Sequence, residues 1–375
     1  MLVPAPELER RWRVETWNGV RVIRLKTLRT KDVGYVRRTI GELLMPFSML
    51  RQLRRSPLRD EKWDGVVWYS PTIFLGPIAR ALKTKNACRS YLIIRDIFPE
   101  WAVDMGMMGR GLPYFFFRAV ADYQYSVADV IGVQSPGNRS YFDHWLRRAR
   151  GRVEVLQNWL AETPVSGCGI DVGCSSLAGR KIFVYAGNMG VAQGMGTLLA
   201  LAQQLQYRQD IGFLFVGRGS DAQKLRAETR SRGLTNVLFH DEIDPDEIPG
   251  LYAQCHAGLV ALDLRHKTHN VPGKFLSYMQ AGLPVLAVVN PGNDLVQLIR
   301  TERVGRVCTD ADAANLADEA VRLLEDLRED GQVGARCKAL AVRVFSPEAA
   351  AKQIVQALEF ERELSVCAPV EHQAP

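Results

Sequence analysis

The chain has 375 residues, of which 47% are hydrophobic and 24% charged, enough apolar material for two domain cores and incompatible with a collagen-like, coiled-coil or wholly disordered protein. Its formal charge of +7 is unevenly placed: residues 1–60 hold twelve Arg and two Lys against six acids, and the remainder is close to neutral. Seven cysteines, with no Cys-x-x-Cys pair among them, fit a reducing compartment, and no apolar run is long enough to span a membrane.

Short apolar runs closed by turn signals recur along the chain, each followed by a stretch of helical periodicity, which predicts parallel strands joined by crossover helices. In the first half the strands fall at 20–25, 65–69, 90–94, 130–133 and 153–156, with helices over 35–55, 72–83 and 113–127. Leu160–Lys181, rich in Gly, Ser, Thr and Pro, reads as a linker. The second half is more regular, with strands near 182–186, 212–216, 236–239, 257–262, 284–288 and 304–308 and helices at 195–206, 220–232, 246–254, 273–281, 293–300 and 312–328. Ser346 as N-cap and Pro347 at the first helical position open a last helix to Leu364.

The pattern predicts an α/β protein of two doubly wound, Rossmann-like domains with a ligand cleft between them. The expected division is 1–160, a linker at 161–181, a second domain at 182–345, a helix at 346–366 crossing back to the first domain, and a disordered tail at 367–375.

Helix 35–55 places Val36, Ile40, Leu43, Leu44, Phe47 and Leu50 on one broad face flanked by Arg37, Arg38, Arg51, Arg54 and Arg55. Either that face covers a sheet and leaves a solvated basic rim, or the helix is a basic amphipathic surface for anionic lipid. Nucleic acid is not expected, because no aromatic-interleaved or recognition-helix pattern accompanies the charge.

Three segments carry candidate chemistry. In IFVYAGNMGVAQGMGTLLAL (182–201), a strand, a loop with Gly187, Gly190 and Gly194, and a helix follow one another; such glycines admit a ligand to the backbone, and the loop N–H groups suit a phosphate. The spacing is not the dinucleotide fingerprint. FLFVGRGSDAQKL (213–225) repeats the geometry with Gly217, Arg218 and Gly219. In the third, a strand ends at Asp263, a cationic loop (Arg265, His266, Lys267, His269) follows, and Pro272-Gly273-Lys274 opens a helix. A cation in a first turn opposes the helix dipole. A bound polyphosphate would remove the conflict, and an ordinary solvated surface lysine is the alternative.

The ordered motifs YAGNMGVAQG, FVGRGSD, NVLFHDE, NVPGKFLSYMQAG and LPVLA, with YLIIRDIFPEWAVDMG (91–106), SVADVIGVQSPG (126–137) and VEVLQNW (153–159), resemble those of family 4 glycosyltransferases of the GT-B fold. The resemblance covers most of residues 15–360 and is greatest to the bacterial O-antigen and capsule branch, similar to N-acetyl-L-fucosamine transferases. It implies a retaining transferase that moves a hexosamine or deoxyhexosamine-type sugar. The donor would be a nucleotide sugar and the acceptor a polyprenyl-diphosphate-linked saccharide. The enzyme would lie on the inner, anionic face of the cytoplasmic membrane, with neither metal nor other cofactor.

The resemblance also implies roles. Backbone N–H groups from Gly187 through Asn188 to Gly190 would meet the donor diphosphate, with Arg218, Arg265 and Lys274 supplying cations at the helix start formed by Pro272 and Gly273. Residues 239–243, including His240, would face the base, and Ser277 would take the ribose position. Arg95, Asp96 and Glu100, with His269, would form the catalytic face toward sugar and acceptor, while stabilisation of the departing diphosphate does most of the catalysis. Asp96 and Glu100 can equally be helix caps.

The sequence departs from the family at several points. His269 and Ser277 stand where many members carry two Glu, Asn188 and Gln193 where many carry Arg and Lys, and Arg95 where many carry His. Family members also place a strand, glycine loop, helix and second strand before a segment like WNGVRVIRL (17–25), so the first domain is expected to lack that unit and to leave two strand edges unpaired. Two other functions share the pattern: a non-catalytic nucleotide-sugar-binding subunit of a polysaccharide assembly complex, and a sugar-nucleotide epimerase of the same fold.

Overall fold

The computed structural model describes residues 1–366 except 32, 71, 147–150, 165–166 and 266, with side chains to Glu359. The expected tail at 367–375 and His266 of the cationic loop lie outside the described residues.

In the first half, β1 (Leu2–Pro4), β2 (Trp12–Trp17) and β3 (Val20–Leu25) form a three-stranded sheet in the order β1-β3-β2. Asn18 and Gly19, at φ 47° and 78°, turn β2 into β3 in the way a two-residue hairpin of this hand demands. There follow α1 (Tyr35–Leu53), β4 (Gly65–Ser70), α2 (Gly76–Asn86), β5 (Arg89–Ile94), α3 (Glu100–Asp104), α4 (Leu112–Val127), β6 (Val130–Val133), α5 (Asp143–Leu146) and β7 (Arg152–Val155). Strands β4 to β7 make a parallel four-stranded sheet in sequence order. The strands of the first half are thus divided between two sheets, and among the described residues β1 and β4 each pair along one side only. Packing rather than strand pairing joins the sheets: Ile23 and Leu25 pack with Met45, Met49 and Leu53 of α1 and Ile78 of α2.

Helix α1 buries a different face from the one its sequence singles out. Gly41, Met45, Pro46, Met49, Gln52 and Leu53 face inward, while Val36, Ile40, Leu43, Leu44 and Phe47 are exposed and Leu50 is half-buried. The helix carries two apolar rows, and periodicity alone cannot choose which of them meets the sheet.

The second half contains β8 (Lys181–Ala186), α6 (Met195–Gln204), β9 (Ile211–Val216), α7 (Ala222–Ser231), β10 (Val237–His240), α8 (Ile248–Tyr252), β11 (Ala257–Ala261), α9 (Gly273–Ala281), β12 (Val285–Val288), α10 (Asp294–Glu302), β13 (Gly305–Cys308), α11 (Ala313–Glu329) and α12 (Val333–Val344). Its six strands are all parallel, in the order β10-β9-β8-β11-β12-β13. Both faces are covered, so the strands are largely apolar, as a two-sided sheet requires. Helix α12, not expected from the sequence, buries Val333, Cys337, Leu340 and Ala341. Within the stretch read as a linker, Ile170, Val172 and Leu177 are buried in the core of this sheet, three apolar residues hidden among the turn-formers.

The last helix, α13 (Pro347–Val366), lies against β5. Ala350 and Ala357 pack with Tyr91, Ile93, Val130 and Leu156. Gln353 Nε2 donates to Glu154 Oε1 (2.8 Å) and to the Val155 carbonyl (2.9 Å), and Arg89 donates to the Ala357 carbonyl (3.0 Å). A helix that follows the second half in sequence is thereby fastened to the first.

Candidate functional site

In the six-stranded sheet the chain leaves β8 toward β9 on one side, while β11 lies on the other. The topological switch point therefore falls between β8 and β11, where diverging loops open a crevice at the carboxyl ends of the strands. The first glycine loop and the cationic loop are the two segments that flank it.

The two glycine loops are laced to each other. Gly187 N–H donates to the Val216 carbonyl (2.9 Å) and Met189 N–H to that of Arg218 (2.7 Å). Gly190 N–H donates to Gln193 Oε1 (3.0 Å), which also accepts from Asn188 Nδ2 (3.2 Å). Gly217 and Gly219 have φ of 138° and 154°, and a Cβ on them would fall 2.1 Å from the Gly187 oxygen and 2.2 Å from the Met189 oxygen. These glycines are needed for the approach of loop to loop. In this structure the amides of Gly187 and Gly190, expected to meet a diphosphate, bond within the protein, that of Gly190 to a side chain. Gln193, met in the sequence as a substitute for a cation, is what stitches the first loop.

Lys274 is the second residue of α9, after the N-cap Pro272 and Gly273, in a first turn without an acid. Its Nζ lies 4.4 Å from the centroid of the Tyr185 ring, and its Cε is 3.8 Å from where a Cβ on Gly187 would stand. The structure thus brings Lys274 to the first loop, across the switch point. Burial pushes its ammonium down to about 8, and the ring face compensates part of the lost hydration. Tyr185 belongs to the site through this contact, and its Oη also donates to the Asn188 carbonyl (2.6 Å).

The remaining donor-side residues are spread around this centre. Arg218 pairs with Glu242 (2.9 Å), and Arg265 grips Asp263 through two contacts (2.9 and 2.7 Å); both arginines are exposed, so these pairs contribute little to stability and yield to a stronger anion. His240, exposed at the end of β10, receives the Gly217 N–H on its carbonyl (3.2 Å). Ser277 Oγ donates to the Lys274 carbonyl (3.0 Å), which uses its hydroxyl proton inside α9.

On the first half two expected catalytic side chains are occupied. Arg95, 9% exposed, donates to the carbonyls of Leu156 (2.7 Å) and Gln157 (3.2 Å) and lies over the Trp159 ring (4.7 Å). It ties β5 to the chain leaving β7, and burial lowers its pKa to about 10. Glu100, in the first turn of α3, accepts from Arg118 and from Tyr114 Oη (3.3 Å), which fastens α3 to α4; Arg118 also holds Asp122 one turn on in its own helix (3.1 Å). Asp96 is exposed just past the end of β5. Beside it, burial first and the Asp96 charge second raise the pKa of Tyr69 on β4. Tyr69 was not singled out in the sequence, since nothing there shows that β4 and β5 bring it to Asp96.

His269 serves as a grip between the halves. Its N–H donates to Asn138 Oδ1 (2.9 Å), and its carbonyl accepts from Asn138 Nδ2 (3.0 Å) and Ser135 Oγ (3.0 Å). Two residues on, the Val271 carbonyl accepts from Gln134 (3.1 Å) and Asn158 (2.9 Å). The His269 ring stands 3.2 Å from Asp294, whose carboxylate accepts the Gly137 N–H (2.7 Å). Residues following β6 and β7 therefore hold the loop that leads into α9 and Lys274.

Replacing Asn138 by Ala leaves the His269 N–H without its acceptor in a buried setting. The expected loss is about 1–3 kcal/mol of stability, together with a several-fold weaker affinity for a nucleoside diphosphate. Thermal unfolding and calorimetric titration measure the two effects; an unchanged affinity would make the contact structural only.

Known proteins resemble this chain in sequence and in fold. Residues 180–326 match the family described as glycosyl transferases group 1. The chain is 25% identical over 243 residues to the probable glycosyltransferase WbjE of Pseudomonas aeruginosa, a match covering 64% of this chain and 59% of WbjE, under two thirds of that relative's length. It is 23% identical over 284 residues to the putative colanic acid biosynthesis glycosyl transferase WcaI of Escherichia coli strain K12, covering 74% and 68% of the two chains. Among solved structures, the sucrose-phosphate synthase of Thermosynechococcus elongatus superposes with a TM-score of 0.70 at 16% identity, over 98% of this chain and 89% of that one. Anabaena HepE in complex with UDP-glucose superposes with a TM-score of 0.62 at 16% identity, over 84% and 82%. The fold is GT-B, and residues 180–326 form a domain that matches glycosyl transferases group 1.

Proposed function

We propose that the protein is a retaining glycosyltransferase of bacterial cell-surface polysaccharide synthesis. It transfers a hexosamine or deoxyhexosamine-type sugar from a nucleotide diphosphate to a polyprenyl-diphosphate-linked saccharide at the inner face of the cytoplasmic membrane. The observation that carries the reading is the desolvated ammonium of Lys274 at the switch point, in a helix first turn that favours an anion. A diphosphate leaving group there gains charge as the glycosidic bond breaks, and Lys274 is positioned to stabilise it. Arg218 and Arg265 exchange their carboxylate partners for phosphate oxygens. The UDP-glucose bound by HepE and the colanic acid assignment of WcaI support a nucleotide sugar as donor and a polysaccharide as product.

In this reading 182–345 is the donor domain and 1–160 the acceptor domain, joined by 161–181, with Asp96 and Tyr69 facing the acceptor. A non-catalytic nucleotide-sugar-binding subunit is the second reading, favoured by the engaged side chains of Arg95, Glu100 and Ser277. Purified full-length protein supplied with UDP-, GDP- or dTDP-sugars and a lipid-linked acceptor separates them: nucleotide release that requires acceptor supports the transferase, and binding without turnover supports the subunit.

Lys274→Met gives a sharper expectation. Removing a charge-assisted contact weakens nucleoside-diphosphate binding by about 10- to 100-fold. Stability at neutral pH is expected to hold or rise, because a charge whose folded pKa is lowered opposes folding below that pKa. In the parent protein, affinity falls as pH rises through about 8, where the ammonium is lost; the variant shows no such fall. Calorimetric titration at pH 7 and pH 9.5 measures it, and equal affinity of parent and variant would remove Lys274 from the site.

A further inference from the structure

We propose that the outer face of α1 is a docking surface for an anionic lipid bilayer. The inference rests on the lipid-linked acceptor reading for its purpose, while its physical basis is the surface itself. Val36, Ile40, Leu43, Leu44 and Phe47 are 74%, 48%, 39%, 46% and 55% exposed. They occur at i, i+4, i+7, i+8 and i+11, one row along the helix, on the side opposite the buried Met45, Met49 and Leu53. Single exposed apolar residues are ordinary on a soluble surface, whereas a continuous row marks an interaction site. The helix has its sheet contact through the other face, so covering the sheet does not account for the row.

The charge around the row identifies the occupant. Residues 26–55 hold eight Lys and Arg against two acids. At the far end of the helix Arg51 and Arg54 fall on the same side as the apolar row, with Arg55 beside them, and all three are exposed. Glu42, the one acid of α1, is turned into contacts with Arg38 and with Thr72 Oγ1 (2.6 Å). An apolar row edged by cations matches acyl chains beneath anionic headgroups, with the arginine stems lying along the apolar boundary. A second copy of the chain fits less well, since pairing the row with itself sets one cluster of arginines against another. No helix among the described residues is long and apolar enough to cross a membrane, so association through this surface is interfacial.

Co-sedimentation of the full chain with vesicles tests the proposal without donor or acceptor. The chain is expected to bind vesicles of phosphatidylethanolamine and phosphatidylglycerol and to bind phosphatidylcholine vesicles about tenfold more weakly or less, with the difference reduced by salt. The double variant Leu44→Glu/Phe47→Glu, at exposed positions, is expected to lose about tenfold or more of the anionic binding. If circular dichroism shows that it does not fold, Arg54→Gln/Arg55→Gln replaces it with the same expectation. Equal binding to both vesicle types, or binding untouched by the folded variants, overturns the proposal. So does a parent dimer in sedimentation equilibrium that the double variant dissociates while vesicle binding persists. Transfer to a short-chain, detergent-soluble acceptor separates the two readings: if it is absent while vesicle binding holds, the acceptor reading fails and the docking surface stands.

Discussion

The site is organised around the placement of one ammonium. Lys274 stands in the first turn of α9, against the ring of Tyr185 and beside Gly187, where the helix dipole and desolvation both disfavour a positive charge. The elements around it account for that position. Strand β8 supplies the ring and the loop, β11 and its following loop deliver the helix, and the glycines of the second loop let the first lie close. Without Gly217 and Gly219 the two loops could not meet at the distances observed. An anion in the crevice would offset both opposing terms by pairing with the ammonium and with the N-terminus of α9.

The grip on the loop before α9 extends this dependence to the first half. Asn138 holds both backbone polar groups of His269, while Gln134 and Asn158 share the Val271 carbonyl. Arg95 and α13 tie the same region from behind, through the carbonyls after β7 and through Tyr91 and Leu156. The position of Lys274 therefore depends on contacts supplied by residues more than a hundred positions earlier in the chain. Motion between the halves would move the loop that carries the cation.

Much of the architecture was legible in the sequence. Eleven of the strands appear close to where apolar runs with turn signals predict them, because buried parallel strands leave an unmistakable composition. The doubly wound class of the six-stranded sheet follows from the strand–loop–helix motifs and the meeting of Gly187 with Lys274 from the resemblance, whereas the strand order is visible only in the structure. What was not legible depends on partners distant in sequence. Helix α1 has two apolar rows, and only packing decides which is inside. Arg95 and Glu100 look like cleft residues at a strand end, yet a carbonyl pair after β7 and Arg118 on α4 engage them. The amides of Gly187 and Met189 look free until the second loop is placed beside them. Strands β1 and β2 escaped notice because one is three residues long and the other alternates charge with apolar residues on an open sheet.

The most direct measurement of the central claim is amide hydrogen exchange of the full chain with and without a nucleoside diphosphate. Ligand held at the switch point is expected to slow exchange in the loop after β8 and in the loop and first turn of α9, with the three-stranded sheet of the first half unchanged, since binding suppresses local opening where it occurs. Saturating nucleotide that left both segments exchanging at their original rates, or that protected a region remote from Lys274, would contradict the account.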